Sequence, residues 1–302
     1  MYDLIIIGGG PAGLTATIYG IRKRLNVLMI SKDLGGKTNY SLKLPWIDEY
    51  RVIRGLETVK KFQNELEYID FARVEDLVDD IQKIDEGFEI KTREGKNFKT
   101  KALIIATGAK QQFLDIPGEM KFLSKGMCYS AQSYAGLFID KCTLVIGNDQ
   151  LALRAAAELA VCASEVNIIG PNEEMMESSY GKKLSGEANV KVFSDHEVVE
   201  ILGGEFAEKA RIKSPDGEEF ILEFDGAFIE KALKPNTKFA LNLLDLDEQG
   251  RIIITNKNHT NVAGIFAAGD VTNIYAEQVL IAIGEGAKAA LSACDFLLQV
   301  EE

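Results

Sequence analysis

The segment Gly8-Gly9-Gly10-Pro11-Ala12-Gly13 lies between a short strand-like run, Asp3 to Ile7, and a helical stretch from Leu14 to about Lys23. A glycine-rich turn between a strand and a helix suits one task above others, the binding of a dinucleotide pyrophosphate. Gly8 permits the tight turn, Gly10 lets the backbone approach the phosphates, and Gly13 lets helix and strand pack closely. The helix N-terminus adds free N–H groups and the positive end of its dipole. Gly8, Gly10, Pro11, Ala12 and Gly13 are therefore the first candidate binding residues. The next strand, Asn26 to Ile30, ends at Ser31, where such turns usually place an acid on the adenosine ribose. Ser31, Lys32 and Asp33 are the candidates for that part.

A second turn of the same design follows the strand Thr143 to Ile146, as Gly147-Asn148-Asp149-Gln150-Leu151-Ala152, with a helix through Ala160. Here Asp149 stands where the second glycine of the pattern belongs, and its charge repels a pyrophosphate. Beyond the strand Val166 to Ile169 the chain reads Gly170-Pro171-Asn172-Glu173-Glu174, placing two carboxylates where a further nucleotide group would lie. Cys128, Cys142, Cys162 and Cys294 are widely spaced with no Cys-x-x-Cys pair, so neither a metal site nor a local redox disulfide is written in the chain. His196 and His259 lie outside these motifs and are expected at the surface, which argues against histidine acid–base catalysis.

Three further segments make the pattern specific. Leu34-Gly35-Gly36-Lys37, the strand and turn Ala102 to Gly108, and Gly264-Ile265-Phe266-Ala267-Ala268-Gly269-Asp270 resemble the low-molecular-weight thioredoxin reductase family in order and spacing. The resemblance implies an α/β fold of two dinucleotide-binding, Rossmann-like domains of three ββα layers, the second inserted into the first. The expected bounds are an FAD-binding domain over 1–111 and 243–302, with an NAD(P)H-binding-like domain over 112–242. Pro235-Asn236-Thr237 matches the family's exit motif. The resemblance implies FAD as cofactor, a homodimer, and a swing between domains. It extends the candidate binding set to Gly35, Gly36, Lys37, Ala106, Thr107, Gly108, Gly269, Asp270, Glu277, Gln278 and Val279. Asp270 would hydrogen-bond the ribityl or pyrophosphate region. Glu277-Gln278-Val279 would open a helix, Gln278 to Leu298, aimed at the flavin pyrimidine ring, where a helix N-terminus stabilises the negative charge of the reduced ring.

The chain departs from that family at two places. The His-Arg-Arg cluster that grips the 2′-phosphate of NADPH is replaced by Gly170 to Glu174, so with Asp149 in the loop NAD(P)H is an unlikely ligand. The redox pair Cys-x-x-Cys is replaced by Ser130-Ala131-Gln132-Ser133. A hydroxyl cannot form a disulfide, because that chemistry needs a thiolate and a sulfur leaving group. Dithiol–disulfide exchange by this pair is excluded, and Cys128 has no resolving partner. Ser130, Ser133 and Tyr129 remain as flavin-facing candidates, with Ser133 a hydrogen-bond donor to the flavin and Tyr129, Tyr134 or Trp46 available to stack.

At 302 residues, with 46% apolar and 26% charged residues, the chain can bury two ordinary cores. No apolar run reaches the roughly 20 residues of a membrane span, and the chain enters a strand directly from Met1, which points to the cytoplasm. A net charge of −12 argues against nucleic-acid binding. The sequence reading is an FAD-dependent oxidoreductase exchanging electrons with a protein or small molecule. A ferredoxin or flavodoxin is a candidate, docking on Arg22, Lys23, Arg24, Lys37, Lys43, Lys60 and Lys61. The alternatives are a non-catalytic FAD-binding redox sensor and an NADH-dependent flavin reductase.

Overall fold

Leu4 to Ile7 form an unbroken apolar run, the pattern of a strand covered on both faces. Alternation divides them between two cores: Leu4 and Ile6 face one, Ile5 and Ile7 the other. The computed structural model describes residues 1–40, 42–47, 56–67 and 72–300. Packing divides the chain into one unit of Met1–Asn39, Ile53–Lys110 and Lys234–Glu302, and another of Tyr40–Val52 and Gln111–Leu233.

The first unit opens with β1 (Tyr2–Ile7), α1 (Pro11–Arg22), β2 (Val27–Ile30), α2 (Leu56–Glu67) and β3 (Arg73–Val74). Three longer strands follow, β4 (Val78–Ile84), β5 (Gly87–Thr92) and β6 (Asn97–Ile105), then the short β7 (Ala109–Lys110). The sheet order is β3-β2-β1-β6-β5-β4. β6 is long enough for two roles: its first half pairs antiparallel with β5, and the stretch from Thr100 onward runs parallel to β1. The C-terminal ends of β1, β2 and β6 therefore open on the same side of the sheet, which brings the turns after Ile7, Ile30 and Ile105 together.

The second unit contains α3 (Glu119–Phe122), β8 (Met127–Cys128), α4 (Ala131–Tyr134), β9 (Cys142–Ile146), α5 (Gln150–Leu159) and β10 (Glu165–Ile169). It continues through α6 (Glu173–Met176), α7 (Ser179–Ser185), β11 (Val190–Phe193), β12 (Glu197–Leu202), β13 (Lys209–Lys213), β14 (Glu219–Glu223) and β15 (Gly226–Ile229). A five-stranded parallel sheet, β11-β10-β9-β15-β8, carries helices on one face, and the antiparallel sheet β12-β13-β14 forms a further layer. The chain then returns to the first unit with β16 (Lys234–Pro235), β17 (Ile265–Ala267) and α8 (Val279–Val300). β16 pairs with β7, and β17 joins the first sheet alongside β6.

These are two Rossmann-like α/β units, the second interrupting the first. The divisions differ from the sequence boundaries at 111 and 242. The return falls at Leu233/Lys234 because β16 already pairs with β7, and the described part of 40–52 groups with the second unit. Leu42 and Leu44 are buried in the second unit's core with Trp46 and Ile47 against it, and Lys43 exchanges backbone hydrogen bonds with Ser124 and Gly126. Among the described residues, no helix is long and apolar enough to cross a membrane.

Candidate functional site

The turn after β1 is shaped by contacts that only glycine tolerates. Gly8 has φ +112°, and a Cβ added there would collide with the Ala106 carbonyl at the end of β6. Gly13 lies directly beneath, against the Gly8 carbonyl. Gly10 faces the other way: a Cβ there would meet nothing within 4 Å. It is also the N-cap of α1 and supplies no side-chain hydrogen bond, so the first amides of α1, at Ala12 and Gly13, face outward without a capping group. The turn after β2 closes over this one through the Gly35 N–H donating to the Gly9 carbonyl at 2.7 Å, and Gly36 lies alongside Gly10. The turn after β6 is clamped from the return strand. The Thr107 hydroxyl donates to the Asn236 carbonyl, the Asn236 side-chain amide donates to the Thr107 carbonyl, and the Asn236 N–H donates to the Gly108 carbonyl.

At the end of β17 the chain turns at Gly269 and presents Asp270. Its Oδ2 pairs with Lys37 Nζ at 2.6 Å, while its Oδ1 is buried with no hydrogen-bond partner. A buried carboxylate oxygen left unpaired is costly, and a ligand hydroxyl would satisfy it. Glu277, just before α8, is solvent-exposed yet crowded by neighbouring protein. That crowding raises its carboxyl pKa, Lys37 opposes the rise, and Asp270 adds to it. The helix expected from Gln278 begins one residue later, at Val279, with no acidic side chain in its first turn. Gly286 of α8 lies so close to the Ala12 backbone that a Cβ would overlap it, and Gly269 approaches the Ala12 side chain. Small residues thus let α8 cross α1 beside the phosphate turn.

Uncapped amides, an open glycine and an orphaned carboxylate oxygen in one cradle fit FAD. The structure brings together Gly8, Gly10, Pro11, Ala12, Gly13, Gly35, Gly36, Lys37, Ala106, Thr107, Gly108, Gly269, Asp270 and the start of α8 through these contacts. Ser31 is buried, and its hydroxyl donates to the Asp33 carbonyl at 2.6 Å, so that proton already serves the loop. Lys32 is exposed beside it.

In the second unit the corresponding turn is built differently. Gly147 is held tightly against the Glu230 carbonyl and Ala152. Asp149 is the N-cap of α5: Oδ1 accepts from the Leu151 N–H at 2.9 Å and the Ala152 N–H at 3.2 Å, and Oδ2 accepts from the Ala232 N–H at 3.2 Å. Asn172 caps α6 and puts Glu173 and Glu174 in its first turn.

Ser130 and Ser133 do come together, with their hydroxyl oxygens 3.1 Å apart across α4. Ser130 has φ +76°, a left-handed conformation that costs a non-glycine residue about 1–3 kcal/mol. Glu230, which the sequence reading missed, supports that turn. Buried at the end of β15, its Oε1 accepts the Ala131 N–H at 2.5 Å. Burial pushes its carboxyl up to about 7, the Ala131 and Ser130 amides pull it down, and Asp149 and Glu158 push it further up. The only signal available was an acid closing the apolar run Gly226 to Ile229.

The aromatic candidates are engaged within the second unit. Tyr129 packs with the sheet face opposite Cys128, its hydroxyl donates to Glu119, and its ring meets Phe113 edge-on. Burial, then Glu119, raises the Tyr129 hydroxyl strongly, and burial pushes the Tyr134 hydroxyl up to about 12. Cys128 is buried, and its thiol is driven well up by burial and then by Glu230, the opposite of an activated thiolate. The Trp46 indole N–H donates to the Leu137 carbonyl, with Lys141 over the ring at 4.5 Å. His196 and His259, expected at the surface, are both half-buried, His196 against Phe193 and His259 against Phe266. Among the described residues no His, Cys, Asp and Glu cluster could hold a metal.

Comparison with known proteins agrees with this geometry. The pyridine nucleotide-disulphide oxidoreductase family matches residues 2–286. One of the alkyl hydroperoxide reductase polypeptides of Staphylococcus aureus is 32% identical over 301 residues, which make up 99% of this chain but 59% of that protein, so the chain spans about three-fifths of this relative. The thioredoxin reductase of Streptococcus pyogenes superposes with a TM-score of 0.89 at 30% identity, covering 99% of each chain. That of Giardia duodenalis gives 0.87 at 28% identity, covering 98% of this chain and 99% of its own. A fold shared over 99% of the chain and a family match over residues 2–286 lead to one assignment: the chain belongs to the pyridine nucleotide-disulphide oxidoreductase family, as a thioredoxin reductase-like flavoprotein.

Proposed function

We propose that the chain is an FAD-dependent oxidoreductase that exchanges electrons with a protein or small-molecule partner without a dithiol–disulfide relay, and for which NAD(P)H is a poor donor. The observation that carries this reading is an FAD cradle kept complete while two hydroxyls, Ser130 and Ser133, face each other at the place of the sulfur pair. When bound, FAD supplies one- and two-electron transfer. The chain's own contribution is electrostatic. The α1 amides would hold the pyrophosphate, Asp270 Oδ1 would accept a ligand hydroxyl, and the acid-free first turn of α8 offers its dipole to negative charge.

A ferredoxin or flavodoxin-type carrier is the partner class we favour. Of the basic residues considered for docking, Lys37 is drawn to Asp270 and Lys43 belongs to the second unit. Arg22 at the end of α1 pairs with Glu65 of α2, so the docking reading rests on Lys23, Arg24, Lys60 and Lys61, all exposed on the first unit. Leu280, Leu291 and Leu298, exposed along α8, support pairing with a second copy of the chain. The four free cysteines support a reducing, cytoplasmic setting.

Anaerobic stopped-flow mixing of the FAD-loaded protein with NADPH, NADH and reduced ferredoxin tests the proposal through loss of flavin absorbance. Rapid bleaching by the protein carrier and slow bleaching by both nicotinamides is the expected result. Rapid bleaching by NADPH or NADH would contradict it.

A further inference from the structure

The two phosphate turns differ in what satisfies the amides behind them. In the first unit the N-cap is Gly10, which contributes no side-chain hydrogen bond. In the second, the N-cap Asp149 takes two α5 amides with one oxygen and, with the other, the Ala232 N–H from the segment leaving β15. A helix N-terminus attracts an anion through free N–H groups and the dipole, and those are the groups Asp149 uses. α5 is ten residues long, so its dipole is developed, and its first turn contains no other acid.

We propose that Asp149 is a specificity-determining residue: its carboxylate stands in for a nucleotide pyrophosphate and closes the second unit to dinucleotide phosphates. This inference rests on the reading of NAD(P)H as a poor donor and supplies its cause. A phosphate entering the turn must displace three hydrogen bonds and sit beside a fixed negative charge. Two other features act in the same direction. Gly147 is pressed against the Glu230 carbonyl, so the turn cannot retreat into the sheet to make room. Glu173 and Glu174, in the first turn of α6 directly after the neighbouring strand β10, add negative charge at the same end of the parallel sheet. The same carboxylate fastens the exit of β15 to the start of α5. The Asp149 side chain thus replaces a mobile ligand by a permanent one and keeps the turn ordered without it.

The test is binding of ADP, NADH and NADPH to the FAD-loaded full-length protein by isothermal titration calorimetry. Asp149→Gly frees the α5 amides at little cost in capping, and Asp149→Asn keeps the cap but removes the charge. The expected result is an affinity gain over wild type of about tenfold or more for Asp149→Gly with ADP and NADH, equivalent to about 1.4 kcal/mol. Asp149→Asn should gain less, and NADPH should gain least because Glu173 and Glu174 remain. Should Asp149→Gly fail to fold, a gain in Asp149→Asn supports the proposal by itself. Equal affinities for wild type and a folded Asp149→Gly, or for wild type and Asp149→Asn where only the latter folds, would overturn it. That outcome is separable from failure of the functional reading, which is decided by whether nicotinamides bleach the wild-type flavin.

Discussion

Glu230 closes β15 with a carboxyl buried among Cys128, Asp149, Glu158 and the Ser130–Ala131 backbone. Burial raises it from 4.5 to about 7, so the folded state holds a proton that the unfolded chain releases. The sign follows from linkage: below about pH 4.5 both states are protonated and the group costs nothing, and stability falls as pH rises from there through about 7. Glu230→Gln keeps an acceptor for the Ala131 N–H and removes the ionisation. It should leave the urea midpoint little changed at pH 5 and stabilise the protein by about 1–3 kcal/mol at pH 8. An equal difference at both pH values would show that ionisation is not the cause. At this scale the sequence was legible where backbone geometry dictates the residue, as at Gly8 and Gly13, and where a missing sulfur excludes a reaction, as at Ser130 and Ser133. It was silent on Glu230, because its burial depends on β8 and β9 flanking β15, a pairing made across more than 80 residues. For Tyr129 and Trp46, residue type suggested stacking partners, but packing within the second unit employs both.

Helix α8 was expected as a long C-terminal helix from the family resemblance, yet the partner its glycines approach emerges only from what it crosses. Gly286 meets the Ala12 backbone in the first turn of α1, so the phosphate turn and the C-terminal helix are positioned by one close contact. Gly286→Ala forces the helices apart. Overpacking of this kind costs about 1–3 kcal/mol, and because Ala12 follows the phosphate turn, FAD retention should fall together with thermal stability. Melting curves of holo and apo protein check this: the variant should lose more stability in the holo form. Equal loss in both forms would mean that the contact serves packing alone. The capping difference between α1 and α5 belongs to this scale as well. The sequence showed an acid in place of a glycine and suggested repulsion, whereas the structure shows a cap that uses the amides a phosphate would need.

Over the whole chain, two strand–turn–helix patterns indicated two dinucleotide-binding turns, and the resemblance to the thioredoxin reductase family implied two Rossmann-like units with the second inserted into the first, as the fold has them. The divisions between the units were less legible. Leu42, Leu44 and Trp46 carry no mark of which core they join, and the short pairing of β16 with β7 places the return at Lys234, beside the exit motif Pro235-Asn236-Thr237 and ahead of the expected boundary at 242. Every step of the proposed function depends on the first unit gripping FAD, which we propose it does through the turns after β1, β2 and β6 and through Asp270. The most direct test is the flavin content of the purified protein, with apoprotein titrated by FAD where the content is low. Yellow protein that saturates at a single FAD per chain is the predicted result. Folded protein that is colourless and takes up no FAD would contradict it.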